Sequence, residues 1–197
     1  MSDIKSAWEI AQEKLAQIGA PTPEERLEWK YVPEGEKLAA KFLKDDVNLE
    51  AELNKYADDN VRKYVARGLA GVLIKNIDLP RNDAVKKTNK RVMDALKGIR
   101  KDKVATENVF SKIRRVFSHY VGPGEEQRKE AYDQMKLDFA RRFQKALEQQ
   151  MGAGANMRID VEKQPEFQAE WRRVSAQMER QYQQLVDEYK VELAAIE

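Results

Sequence analysis

Residues 165–197 read PEFQAEWRRVSAQMERQYQQLVDEYKVELAAIE, and the spacing of their large apolar side chains decides the fold class. Phe167, Trp171, Val174, Met178, Tyr182, Leu185, Tyr189 and Ile196 follow one another at steps of 4, 3, 4, 4, 3, 4 and 7. Steps of three and four place side chains on one face of an α-helix, and their regular succession makes a heptad-like, coiled-coil seam. Pro165 suits the first helical position, where a missing N–H costs nothing. The segment before it has the same character. Residues 125–151 contain no glycine or proline and align Tyr132, Met135, Phe139, Phe143 and Ala146.

Gly122-Pro123-Gly124 precedes these two segments and Gly152-Ala153-Gly154-Ala155 separates them, so a long antiparallel hairpin over 124–197 is expected. Folding 165–197 back on the shorter 125–151 leaves Tyr189, Leu193 and Ile196 beyond the end of the partner helix. Those three must be covered by the amino-terminal helices, by a second copy, or by another protein. They are the candidate partner-binding residues. Met157–Val161 is the single strand-like stretch, and with no second strand to pair it reads as extended loop.

The amino-terminal half also reads as helix. Ser2 caps Ile4, Trp8, Ala11, Leu15 and Ile18, a run closed by Gly19 and Pro21. Thr22-Pro23-Glu24-Glu25 is a capping box for a short helix to about Trp29, and Pro33 starts another through Leu43. Asn48 caps a longer segment from Leu49 towards Ile74, within which Ala66, Gly68, Ala70 and Gly71 permit close backbone approach. Pro80 and Asn82 introduce the next helix. The expected fold is therefore all-α, with a multi-helix bundle over 1–121 and the hairpin over 124–197, or the two as one continuous domain.

Composition bounds the chemistry. The 197 residues hold 42% hydrophobic and 36% charged side chains, no cysteine and one histidine. Disulfides, thiolate metal sites and cysteine nucleophiles are excluded. A di-iron bundle needs paired Glu-x-x-His motifs, whereas Val116 stands three residues before the single His119. Paired carboxylates such as Asp58/Asp59 and Asp187/Glu188 are too numerous in so charged a chain to mark general acid–base work. No enzyme, metal or cofactor is expected. The amino terminus lacks the basic-then-apolar order of a signal peptide, and no apolar run approaches the ~20 residues of a membrane span. A cytoplasmic protein without membrane insertion is expected.

Net charge is +2, but residues 1–83 carry −3, 84–123 carry +8 and 124–197 carry −3. In the helix from Asp83, Val85, Val92, Leu96 and Ile99 form the apolar face, and Lys86, Lys90, Lys97 and Lys101 fall within about 60° on another side. Lys87, Arg91 and Arg100 widen that arc, while Lys112, Arg115 and His119 line the polar face of the next helix. Such a surface suits phosphate backbones, or else neutralises the acidic helices on either side. The sequence thus supports a non-enzymatic interaction or scaffold protein acting through its long hairpin, as a homo-oligomer or with a protein partner. The alternative is RNA or ribosome binding through residues 86–119.

Overall fold

The computed structural model describes Trp8 and residues 21–45, 47–151 and 160–196, and every regular element among them is helical. The fold is all-α. The helix expected from Ser2 over Ile4, Ala11, Leu15 and Ile18 lies outside the described residues, as do the Gly152–Ala155 break and residues 157–159 of the strand-like stretch. The last residue of that stretch, Val161, is buried and begins a 3₁₀ turn over Val161–Lys163.

Two compact units divide the chain, Met1–Leu73 and Ile74–Glu197. The first holds α1 (Pro23–Lys44), α2 (Leu49–Leu53) and nearly all of α3 (Asp59–Lys75). Thr22 and Glu25 make the reciprocal capping box, with bonds of 3.1 and 2.7 Å, and Asn48 Oδ1 caps α2 through the Ala51 amide at 3.0 Å.

Two boundaries differ from expectation. Pro33 does not begin a helix but sits inside α1. Proline in a helix interior costs about 3 kcal/mol, and the packing on either side of it offsets that cost. A Cβ on Gly35 would collide with the Val65 carbonyl and lie 2.7 Å from the Leu69 nitrogen, and a Cβ on Gly68 would collide with the Val32 carbonyl. The backbones of α1 and α3 therefore touch on both sides of the proline, above buried Ala39, Phe42, Val65 and Leu69. Second, the segment capped by Asn48 is interrupted at residues 54–58. There the Asp58 carboxylate accepts from Asn60 N at 2.8 Å and its carbonyl from Arg62 N at 2.9 Å, which restarts the helix as α3.

The second unit contains α4 (Asp83–Ile99), α5 (Lys103–Val121), α6 (Pro123–Met151) and α7 (Pro165–Ala195). Asn82 and Asp102 cap α4 and α5 through the Val85 and Ala105 amides at 2.9 and 2.8 Å. Gly122-Pro123-Gly124 interrupts the helix for one residue only, because Gly122 N–H still donates to Ser118 O and the Gly122 carbonyl accepts from Glu125 and Glu126. In the core of this unit Asn89 is 3% exposed. Its Oδ1 accepts from Asp78 N at 3.0 Å and its Nδ2 donates to Asp78 O at 2.7 Å, fastening the 76–82 connection as a neighbouring strand would.

The glycines separate packing from propensity. Gly68→Ala gains about 1 kcal/mol of helix propensity, but it meets backbone that cannot yield, so a net loss of about 1–3 kcal/mol is expected. Gly71 has nothing within 4 Å of an added Cβ, and Gly71→Ala is expected to gain about 0.5–1 kcal/mol. Urea-unfolding midpoints of the two variants should move in opposite directions.

Candidate functional site

Helix α7 runs antiparallel to α5 and α6 in turn. Against α6, the Tyr132 ring meets Phe167 and Trp171 edge-on at 5.4 and 5.0 Å, Phe139 meets Phe167 at 5.6 Å, and Lys136 pairs with Glu162 at 2.5 Å. Against α5, Tyr182 meets Tyr120 at 5.4 Å, Lys112 pairs with Glu192 at 2.7 Å, and Arg100 closes the far end. Each step up α5 and α6 is a step down α7.

The junction at Gly122 lies under Tyr182. A Cβ on Gly124 would stand 2.5 Å from the Tyr182 hydroxyl, which is itself 2.9 Å from His119 Nδ1. Next to it, buried Tyr120 donates to Glu179 at 2.7 Å, and Glu179 pairs with Arg81 at 3.2 Å. Arg128 stacks over the Tyr120 ring at 4.1 Å and donates to the Tyr120 carbonyl at 3.0 Å, satisfying the end of α5. Burial first, and then the bond to Glu179, push the Tyr120 phenol up to about 12.

This geometry redistributes the residues expected to bind partners. Leu193 is 2% exposed, Tyr189 is half-buried with the Lys112 ammonium 5.6 Å from its ring centre, and Ile196 is half-buried. The end of α7 runs past the start of α6, as its length requires, but α5 of the same chain covers it. Leu193 is thus a core residue and not a docking residue. The helical rotation also carries the seam from Leu185, which is 40% exposed, to Val186, which is fully buried.

The ten cationic and imidazole groups separate into three sets. Arg100 donates to the carbonyls of Leu193 and Ile196, Lys112 holds Glu192, and His119 meets Tyr182, so these three fasten α7. Burial lowers the Arg100 guanidinium from its usual value. Lys86 pairs with Asp83 at 3.2 Å and Lys97 with Glu107 at 2.8 Å, while Arg91 is half-buried and engaged. Lys97, followed by Arg114, lowers the Glu107 carboxyl. Lys87, Lys90, Lys101 and Arg115 are exposed and have no ion-pair partner among the described residues.

Sequence reasoning passed over Asn89, Tyr120, Arg128 and Glu179. Asn89 had a legible signal, a carboxamide one turn from Val92 and Val85 on an otherwise apolar stripe. Tyr120 and Glu179 acquire their roles only when α7 crosses the junction, and Arg128 takes its role where α6 meets the end of α5. Among the described residues, no group of three or more His, Asp or Glu side chains is placed to hold a metal ion, and no helix is long and apolar enough to cross a membrane.

A family of unknown function, DUF6657, matches residues 50–195. The chain belongs to this family. No curated protein and no solved structure matches it. The DUF6657 match begins in α2 and ends at the last residue of α7, so it spans the cationic helices and their whole contact with α7.

The Tyr120 hydroxyl offers a check on this seam. Its folded value of about 12 exceeds the unbound 10.0, so the folded state holds the proton more tightly. The corresponding stability is complete below about pH 10 and falls as pH rises towards 12. Absorbance titration of the native protein should show a late tyrosine component near 12, and Tyr120→Phe should remove it.

Proposed function

We propose that this protein is a non-enzymatic interaction or scaffold protein that uses its long helices to self-associate or to hold a protein partner. The observation that carries this reading is the apolar surface left uncovered on α6 and α7. Leu137 is 53% exposed, Leu185 40% and Val191 72%, and Phe143, 37% exposed, lies beyond the residue that pairs with the start of α7. Covering a leucine- or valine-sized side chain stabilises an interface by about 1.5–3 kcal/mol, roughly a tenfold gain in affinity or more.

Sedimentation velocity across a concentration series, together with nuclease-treated capture experiments, tests the reading. Self-association, or protein capture that survives nuclease, is expected for the wild type. Replacing Leu137, Leu185 and Val191 by glutamine should weaken it at least about tenfold. A monomer whose captures vanish with nuclease contradicts the reading.

RNA binding is the second reading, favoured by the exposed Lys87, Lys90, Lys101 and Arg115, whose charges no carboxylate among the described residues neutralises. It predicts RNA affinity falling linearly with salt in log–log form, with a slope of about −0.7 to −0.9 per phosphate contacted. Glutamine at those four positions should flatten that slope while thermal unfolding stays unchanged. Undetectable wild-type binding at low salt removes this reading.

A further inference from the structure

We infer that one side of the α5–α6–α7 layer is a docking groove for an acidic amphipathic helix of a partner protein. This rests on the interaction reading above and gives it a location and a partner chemistry. Two depressions carry the argument. One, of about 660 Å³, lies between α5 and the end of α7, with Ala105, Val109 and Ile196 among its apolar lining and Lys112 and Arg115 among its cations. The other, of about 390 Å³, lies between α6 and the middle of α7, lined by Val174 and Met178, by Arg128, and by the carboxamides of Gln127, Gln177 and Gln181.

Both depressions open on the same side of α7. At 100° per residue, Val174, Met178, Gln181, Leu185, Glu192 and Ile196 fall within an arc of about 60°. Gln183 and Lys190, which line a depression beside α4, lie well away from that arc. Leu185, 40% exposed and in neither lining, falls on that arc between the α7 residues of the two depressions and adds an apolar side chain along the line that joins them. From Val174 to Ile196 the groove follows about 33 Å of helix, the length of a helical segment of roughly twenty residues. A helix resting between two others contacts both at interaxial distances of about 8–10 Å.

Charge selects the occupant. Three cations, Lys112, Arg115 and Arg128, stand on the rim, and Glu192 is the one carboxylate lining either depression. Arg115 and Arg128 have no carboxylate partner among the described residues, and Arg128 Nη1, which is buried, has no hydrogen-bond partner. Glu192 shows how an incoming carboxylate is held, 2.7 and 3.0 Å from the Lys112 ammonium. An apolar floor with a cationic and amide rim matches a helix with an apolar stripe flanked by glutamates or aspartates.

The test uses fluorescence anisotropy of the full chain with four probes. These are a twenty-residue peptide with leucines at helical spacing among glutamates, its lysine counterpart, a scrambled acidic peptide, and a twenty-nucleotide single-stranded RNA. The acidic amphipathic peptide should bind at least about tenfold more tightly than the lysine and scrambled peptides. Arg115→Glu and Leu185→Glu should each weaken it about tenfold or more, with Arg115→Gln and Leu185→Gln as milder variants if the glutamates impair folding. Equal binding of acidic and scrambled peptides, or unchanged binding in the variants, overturns the groove. RNA binding lost in those same variants assigns the surface to phosphates and also overturns it. If nuclease-resistant protein capture persists in Arg115→Glu and Leu185→Glu, the groove falls while the interaction reading stands.

Discussion

The second unit depends on α7 finding a continuous partner across a break in the chain. Gly122 interrupts the hydrogen-bonded helix for one residue, and Gly124 has no side chain to hold Tyr182 away. Tyr182 therefore settles over the junction, bonded to His119 and edge-on to Tyr120, and α7 passes from α6 to α5. The rest follows from that crossing. It buries Tyr120 beside Glu179, brings Arg81 to the same carboxylate, and delivers the last carbonyls of α7 to Arg100. The Leu193 carbonyl also accepts from the Ile196 amide at 3.3 Å, and the guanidinium supplies further donors where the helix dipole is negative.

Local chemistry made much of the fold legible in advance. Thr22, Asn48 and Asn82 cap helices through side-chain oxygens, and Pro165 opens α7. These signals involve residues two or three apart, and no distant part of the chain needs to be known. Pro33 was misleading for the opposite reason. Its intrinsic preference favours a helix start, but the backbone contact of Gly35 and Gly68 with α3 and α1 holds the helix on both sides of it. The seam of α7 failed in its later half because a 3.5-residue repeat and a 3.6-residue helix drift by about 20° per heptad. By about the sixth turn the buried position had moved from Leu185 to Val186.

The candidate surfaces show the same division. An excess of cations over 84–123 and an apolar overhang at 189–196 are both evident from residue types. That Arg100 and Lys112 meet Leu193, Ile196 and Glu192 is a tertiary fact with no local trace. Each feature looked like a site for a partner because each lacked one in the sequence. In the fold they partly satisfy one another, leaving Lys87, Lys90, Lys101 and Arg115 of those cations facing outward, with Leu137, Leu185 and Val191 among the outward apolar groups.

Because the chain contains no cysteine, site-directed crosslinking tests the α7 crossing directly. Cysteines replacing Lys112 and Glu192, joined by a short bismaleimide in dilute protein, should link within one chain, whereas Lys112→Cys with Gln168→Cys should not. Efficient linkage of the second pair, or linkage of the first pair only between two chains, would contradict the account that α5 covers the end of α7.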